Sequence, residues 1–107
     1  MGWRREVREV RNEPGLSPSS PLVLLDFFTL DCMPCRKLEP MLAALVMTVG
    51  EQLRVVRVNA ADDREQAGRY AVQGVPTLVL LRDGAEVDRR VGFHTAHQLR
   101  EWVRPYL

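Results

Sequence analysis

Residues 22–35 read LVLLDFFTLDCMPC, an apolar run that leads directly into two cysteines. The run from Leu22 to Phe28 is broken only by Asp26 and shows no alternation with polar residues. Such a run is typical of a strand covered on both faces, as in the interior of a parallel or mixed sheet. The sequence therefore predicts a buried strand whose end carries the cysteine pair.

Cys32 and Cys35 are the only cysteines of the chain, and Met33 and Pro34 separate them. Residues three apart in the first turn of a helix lie on one face, so the two sulfurs are able to close into a disulfide. Free backbone N–H groups at a helix start favour an anion, so the first thiol is able to ionise near neutral pH. A strand, a CxxC turn and a helix together predict a redox-active dithiol.

Three other interpretations of the cysteine pair stay open on this evidence: a structural disulfide, half of a zinc site, or two inert buried thiols. A zinc site needs two more ligands, and the two histidines, His94 and His97, match no common zinc-finger spacing. We expect both histidines to be solvated near the start of the last helix. We therefore predict no metal, and no cofactor beyond the redox-active disulfide itself.

Length, composition and charge exclude several classes of protein. The chain has 107 residues, 46% of them hydrophobic and 27% charged, which suits one compact globular domain. The net charge of +1 gives no electrostatic reason to expect a nucleic acid or a membrane surface as partner. No stretch approaches the ~20 apolar residues of a membrane span, and the charged N-terminus lacks the apolar region of a secretory signal. We therefore expect a cytoplasmic protein.

The N-terminal residues differ in character from the rest of the chain. Trp3, Val7 and Val10 recur at helical spacing and favour a short amphipathic helix, while alternation over residues 5–11 fits a strand less well. Residues 12–21, rich in proline and serine, predict a linker. We therefore divide the chain into an N-terminal extension and a compact domain, residues 1–21 and residues 22–107.

After the cysteines, helical and strand patterns alternate. Apolar residues between 38 and 49 recur on one helix face and predict a helix that ends at Gly50. The sequence then predicts a strand at 53–59, a short helix at 63–72, strands at 77–81 and 86–91 joined at Asp83-Gly84, and a helix capped by Thr95 and Gln98. The predicted order, β-α-β-α-β-β-α, indicates an α/β fold with a mixed sheet between helices.

With these motifs in place, the chain resembles the thioredoxin family across about residues 22–107. The residues that carry the resemblance are Asp26-Phe27-Phe28, Cys32-Met33-Pro34-Cys35, Pro40, Gly74-Val75-Pro76-Thr77, Asp83-Gly84 and Gly92. The resemblance implies a thioredoxin fold, with a central mixed sheet flanked by helices. It also implies a protein-disulfide reductase that carries electrons for cell redox homeostasis. Its partners would be a flavin-dependent thioredoxin reductase, as electron donor, and disulfide-containing protein clients.

The resemblance also assigns roles at the cysteine pair. Cys32 would be the nucleophile, and Cys35 would resolve the mixed disulfide and release the reduced client. Asp26 would assist proton transfer at Cys35. Because a charged carboxylate is costly to bury among apolar residues, we expect the pKa of Asp26 to be raised. The alternative is an aspartate at a strand end that reaches solvent or caps a loop.

Client binding is implied for the residues around the cysteines: Met33, Pro34, Val75, Pro76, Thr77, Gly92 and Phe93. Pro76 corresponds to a cis proline that faces the disulfide, and the backbone of Val75 would pair with an extended client segment. The sequence alone also allows a trans peptide bond there. For Gly74 and Gly92, simple turn geometry is the alternative to a role in the client surface.

At three positions the chain departs from the family pattern. Asp31 stands before the first cysteine, where relatives usually have an aromatic residue, and is expected to oppose thiolate formation. Met33 replaces a usual glycine and adds a flexible apolar contact. Arg57, where many relatives have lysine, is expected to pair with Asp26 and to lower its pKa, with a solvent-facing strand residue as the alternative.

The N-terminal strand and first helix of the family are not clearly present in the sequence. Two alternative functions also stay open. One is a dedicated reductant for a single client, and the other is a thioredoxin-like binding module whose cysteines are incidental.

Overall fold

The computed structural model describes residues 7–9 and 22–107. In chain order these residues form β1 (Val7–Glu9), β2 (Leu22–Phe28), α1 (Met33–Val49), β3 (Arg54–Asn59), α2 (Arg64–Arg69), β4 (Thr77–Arg82), β5 (Ala85–Val91) and α3 (Ala96–Val103), with 3₁₀ turns at Gly50–Gln52 and Arg104–Tyr106. From β2 onward this is the predicted order of strands and helices.

The strands form a single mixed sheet in the order β1-β3-β2-β4-β5. Strands β1 and β2 both run parallel to β3, whereas β4 is antiparallel to β2 and β5 is antiparallel to β4. Strand β2 thus lies at the centre, with Asp26 beside Arg57 on one side and beside Leu78 on the other. The predicted α/β architecture with a mixed sheet between helices is confirmed.

Strand β2 is buried on both faces, as its uninterrupted apolar sequence predicts. Leu22 and Leu24 belong to the larger core cluster, which contains the buried side chains of α1 and α3. Val23 and Leu25 belong to a second cluster on the α2 side of the sheet. Because side chains alternate along a strand, Asp26 lies on the same side as Leu22 and Leu24, which is the side of α1.

Local signals fix most of the element boundaries. Helix α1 ends at Val49, and its C-cap residue Gly50 has a φ of 60°, a positive value that glycine adopts at little cost. At the β4–β5 turn, Asp83 and Gly84 also have positive φ values, 53° and 82°, and the two strands are antiparallel as predicted. Helix α3 begins with a complete capping box, in which Thr95 and Gln98 each bond the other's backbone N–H.

Helix α2 is shorter than the sequence pattern predicts. Its predicted span was residues 63–72, but the helix ends at Arg69. Only half of the predicted capping box forms, because Asp63 accepts the N–H of Gln66 at 3.1 Å while Oε1 of Gln66 has no hydrogen-bond partner among the residues that the structure describes. The chain then turns at Ala71, which has a φ of 53° and cannot continue a helix.

The helix expected from Trp3, Val7 and Val10 is wrong for residues 7–9, which form the edge strand β1. This short segment is paired with β3 through hydrogen bonds between residues far apart in sequence, and three residues are too few for periodicity to indicate them. The rest of that helix, and the linker at 12–21, lie outside the described residues. The division between residues 1–21 and 22–107 stays a prediction.

We predict that Thr95→Ala lowers the free energy of unfolding by about 1 kcal/mol, because the first turn of α3 loses its side-chain cap. Urea denaturation of the oxidised protein measures this change. Thr48→Ala is the matched control, since Thr48 lies inside α1 and its hydroxyl only donates to the carbonyl of Ala44. An equal loss in both variants would contradict the role of the cap.

Candidate functional site

The two cysteines form a disulfide at the start of α1, with their Cα atoms 5.2 Å apart. Cys32 is the N-cap residue, and its Sγ accepts the backbone N–H of Cys35 at 3.1 Å. Pro34 occupies the first turn, where a missing N–H costs no helical hydrogen bond. Cys35 is only 2% exposed, whereas Cys32 is partly exposed. The site therefore has one accessible sulfur and one buried sulfur.

The loop before β4 lies against the accessible sulfur. The Val75–Pro76 peptide bond is cis, and the carbonyl oxygen of Val75 lies 3.8 Å from Sγ of Cys32. The hydroxyl of Thr77 donates to the carbonyl of Gly74 at 2.5 Å. Because Thr77 is buried and its hydroxyl is used within the loop, it contributes to the shape of the loop. The resemblance implied this cis proline, which the structure contains.

Gly92 connects the end of β5 to the same loop. Its N–H donates to the carbonyl of Pro76 at 2.8 Å, and its φ of 93° is one that other residues rarely adopt. The turn geometry considered for Gly92 is therefore present, and this glycine also lies beside the proline loop. Gly74 has no positive φ. Its carbonyl accepts a hydrogen bond from the hydroxyl of Thr77, and through this bond it helps to shape the loop.

Four exposed apolar side chains belong to the segments that carry the cysteines and the proline loop's partner Gly92. They are Leu30, Met33, Val91 and Phe93, with exposed fractions of 71%, 58%, 65% and 43%. Met33 and Phe93 were predicted from the sequence, whereas Leu30 and Val91 were not. Val91 directly precedes Gly92, a predicted residue of the client surface, and that position was the available signal for it. Asp31, which is exposed beside Cys32, adds a negative charge to this surface.

Asp26 is fully buried in the central strand, so the alternative of an aspartate that reaches solvent is wrong. Burial raises the pKa of Asp26 from 3.8 to about 6, although the nearby guanidinium of Arg57 opposes that rise. Nε of Arg57 donates to Oδ2 of Asp26 at 3.2 Å, whereas Oδ1 has no hydrogen-bond partner in the described part of the chain. The carboxyl group is therefore held at one oxygen only.

Arg57 is mostly buried, with 16% of its side chain exposed, which rules out the solvent-facing alternative. Its Cζ atom lies 3.8 Å from the centre of the Phe28 ring. Nη2 of Arg57 lies 3.3 Å from Oε2 of Glu39, an ion-pair contact without the alignment of a hydrogen bond. Glu39 was not predicted as a site residue, although it follows Cys35 by one helical turn and so lies on the same face of α1.

Neither histidine belongs to a group of possible metal ligands among the described residues. Nδ1 of His94 lies 3.1 Å from the carbonyl of Gly92, and Nδ1 of His97 lies 3.4 Å from the guanidinium of Arg100. Within residues 7–9 and 22–107, no three His, Cys, Asp or Glu side chains are grouped as metal ligands would be. None of the helices described in this chain is both long and apolar enough to cross a membrane.

The fold and the site together define a class of protein. A disulfide at a helix N-terminus, with one accessible sulfur, a cis proline beside it and a buried carboxyl group in the adjacent strand, is an arrangement for thiol–disulfide exchange. A family model described as Thioredoxin matches residues 7–105. The chain belongs to the thioredoxin family and is a thiol–disulfide oxidoreductase of that family's kind.

Individual relatives agree with this assignment. The thioredoxin of Bacillus subtilis (strain 168) is 37% identical over 89 residues, which cover 83% of this chain and 86% of that protein. The thioredoxin of Chlamydia caviae is 46% identical over 71 residues, covering 66% of this chain and 69% of that protein.

Solved structures give the same result. A mutant thioredoxin from Halobacterium salinarum NRC-1 superimposes with a TM-score of 0.84 at 30% identity, covering 94% of this chain and 90% of that chain. The thioredoxin of Fasciola hepatica gives a TM-score of 0.75 at 34% identity, with coverage of 82% and 83%. The expected thioredoxin fold is confirmed.

We predict that Asp26→Asn stabilises the oxidised protein near neutral pH. Because the pKa of Asp26 is about 6 in the folded protein against an ordinary 3.8, the folded state holds the proton more tightly. Wild-type stability should therefore fall, relative to the variant, by about 2.5 kcal/mol as the pH rises from about 4 to about 7.

Urea denaturation across this pH range measures the difference. Asp83→Asn, which removes a carboxylate from the exposed β4–β5 turn instead of from the core, is the matched control. A constant difference in stability between wild type and Asp26→Asn at all pH values would contradict the elevated pKa of Asp26.

Proposed function

We propose that this protein reduces disulfide bonds in other proteins, with Cys32 as the attacking and Cys35 as the resolving cysteine. The observation that carries the proposal is the unequal exposure of the two sulfurs at the start of α1. Cys32 is partly exposed and Cys35 is 2% exposed, so a client disulfide meets the sulfur of Cys32 first.

The exchange takes place in two steps, starting from the reduced protein. The Cys32 thiolate attacks one sulfur of the client disulfide, so that a mixed disulfide forms and the other client sulfur leaves as a thiolate. Cys35 then loses its proton and attacks Sγ of Cys32, which releases the second client sulfur. The client gains two electrons and ends as two thiols, while the protein ends with the Cys32–Cys35 disulfide.

The backbone supports the thiolate of Cys32. In the oxidised structure the N–H of Cys35 donates to Sγ of Cys32 at 3.1 Å, and the same N–H would stabilise a negative sulfur in the reduced form. The N-terminus of α1 adds the positive end of the helix dipole. Both effects favour attack by Cys32 near neutral pH.

Asp26 is the proposed acceptor of the Cys35 proton. It lies on the α1 side of β2, and the burial that raises its pKa to about 6 makes it an effective base near neutral pH. Oδ1 of Asp26, which has no hydrogen-bond partner among the described residues, is the oxygen available for that proton.

The client would bind as an extended segment beside the cis-proline loop. Pro76 has no backbone N–H, so it presents no unsatisfied donor to the sulfurs. The carbonyl of Val75 lies 3.8 Å from Sγ of Cys32, where a client backbone N–H would reach both the loop and the reacting sulfur. Met33 and Phe93 would supply apolar contact area, since both are exposed.

Family membership also supports a flavin-dependent thioredoxin reductase as electron donor, and we include that partner in the proposal. A cytoplasmic location, and the absence of any cofactor besides the disulfide, stay predictions from the sequence.

The roles of the two cysteines are testable with insulin as substrate and dithiothreitol as reductant. We predict that Cys32→Ser abolishes insulin reduction, because the attacking thiolate is lost. Cys35→Ser should instead accumulate a mixed disulfide with the client, because nothing resolves it. Mass spectrometry under non-reducing conditions measures the trapped complex.

Wild-type protein that is inert with dithiothreitol would overturn the proposed activity. Trapping by Cys32→Ser rather than by Cys35→Ser would reverse the two roles. If the double alanine variant of both cysteines still supports the cellular function, the binding-module alternative is correct instead.

The exposed Asp31 favours a second candidate, a reductant dedicated to one client. Its carboxylate beside Cys32 lowers the thiolate fraction of that cysteine and slows attack on generic disulfides. We predict that Asp31→Asn increases the rate of insulin reduction at pH 7 by about 2- to 5-fold, with the effect shrinking at high salt. Asp83→Asn is the charge-matched control, and an unchanged rate in Asp31→Asn would remove this argument for a dedicated client.

A further inference from the structure

Glu39 ends a row of three charged side chains that begins inside the sheet. Asp26 on β2 is fully buried, Arg57 on β3 lies beside it, and Glu39 on α1 lies at the outer end, with 37% of its side chain exposed. Cys35 lies one helical turn before Glu39 on the same face of α1. The row therefore joins the surface of α1, on the face that also carries Cys35, to the buried carboxyl group of Asp26.

Arg57 contacts two different carboxylates, each through a different nitrogen of its guanidinium group. A guanidinium facing a carboxylate commonly forms two parallel hydrogen bonds, and Nε with Nη2 is one edge that can do so. Here Nε donates to Oδ2 of Asp26 at 3.2 Å, but Nη2 lies 3.3 Å from Oε2 of Glu39. Oδ1 of Asp26 has no hydrogen-bond partner among the described residues.

We propose that Glu39 is a positioning residue for the exchange reaction: by holding Nη2 of Arg57 it prevents a two-point ion pair with Asp26 and leaves Oδ1 of Asp26 free. This inference rests on the proposed function, in which Oδ1 accepts the proton of Cys35. Glu39 does not relay that proton itself, because the intervening guanidinium of Arg57 stays protonated.

Packing explains why the position of Arg57 responds to Glu39. The guanidinium lies over the Phe28 ring, with Cζ 3.8 Å from the ring centre, and this contact holds it beside both carboxylates. Nη2 of Arg57 is then able to pair with either Glu39 or Asp26. If Glu39 is removed, Asp26 is the carboxylate that remains, and the ion pair is expected to close on both of its oxygens.

Two variants of Glu39 separate its contact from its charge. Glu39→Gln removes the charge, while Glu39→Asp keeps the charge but withdraws the carboxylate from Nη2 by one methylene. The pKa of Asp26 is measured in the oxidised full-length protein by NMR titration of its carboxyl carbon, a readout that requires no activity. Glu51→Gln, in the exposed turn after the far end of α1, is the matched control.

We expect the pKa of Asp26 to fall by about 1 in both Glu39 variants and to stay unchanged in Glu51→Gln. The rate at which Cys35 resolves a mixed disulfide at pH 7 should fall by about 3- to 10-fold in the same two variants, because Oδ1 is then occupied by Arg57. Attack by Cys32 on the client disulfide, measured as the preceding step, should be unaffected.

Other outcomes would overturn the inference. An unchanged or higher pKa of Asp26 in Glu39→Gln means that Glu39 does not hold Arg57 away. A fall in Glu39→Gln but not in Glu39→Asp means that Glu39 acts through space by its charge. A fall of the pKa in both variants with no change in resolution supports the positioning of Arg57 but overturns the proton role of Asp26.

Discussion

Strand β2 must be covered on both faces, and the rest of the structure depends on this constraint. Its side chains are divided between two core clusters, one beneath α1 and α3 and one beneath α2. The strand ends at Phe28, and the chain then reaches Cys32 at the start of α1 within four residues. Because α1 packs on the strand that precedes it, the cysteine pair is fixed just beyond the carboxyl end of the central strand. The same packing buries one of its two sulfurs.

Because β2 is covered on both faces, its one charged residue, Asp26, is buried, and burial raises the pKa of its carboxyl group. Asp26 occupies a position that an apolar side chain would otherwise fill, and a charged carboxylate there is costly. Arg57 compensates for only part of that cost, since it contacts one carboxyl oxygen. The pKa of Asp26 therefore lies near 6, between the ordinary value and that of a group without any partner. An apolar residue would stabilise the protein more, but it could not accept a proton.

Much of the fold was predictable because its signals are local. The apolar run of β2, the helical spacing that ends at Gly50, the Asp83-Gly84 turn and the capping box at Thr95 each depend on a few neighbouring residues. Strand β1 could not be predicted in this way, since three residues carry no periodicity and their pairing with β3 is non-local. The end of α2 was misjudged because the left-handed conformation of Ala71 has no sequence signal of its own.

The site residues also divide into those that a motif or the family pattern predicts and those that only the packing of distant segments brings together. Cys32 and Cys35 were found from a CxxC motif whose spacing is fixed by the local backbone, whereas Pro76 and Gly92 were found from the family resemblance. The pairing of Arg57 with Asp26 followed from the family resemblance, since many relatives have a lysine in place of Arg57. Glu39 was missed because its contact with Arg57 joins α1 to β3, and no motif in the sequence links those two segments. Contacts between elements are set by packing, so a single sequence indicates them only where a family pattern already does.

On the proposed assignment, two carboxylates act on different sulfurs, and their surroundings determine how strongly each one acts. Asp31 is exposed beside Cys32, so water and salt screen its charge. Asp26 is buried on the side of the sheet that faces Cys35, where a charge interacts much more strongly than at the surface. Attack by Cys32 is therefore adjusted by surface residues that a client also contacts. Resolution by Cys35 is adjusted from the interior, where a client cannot reach.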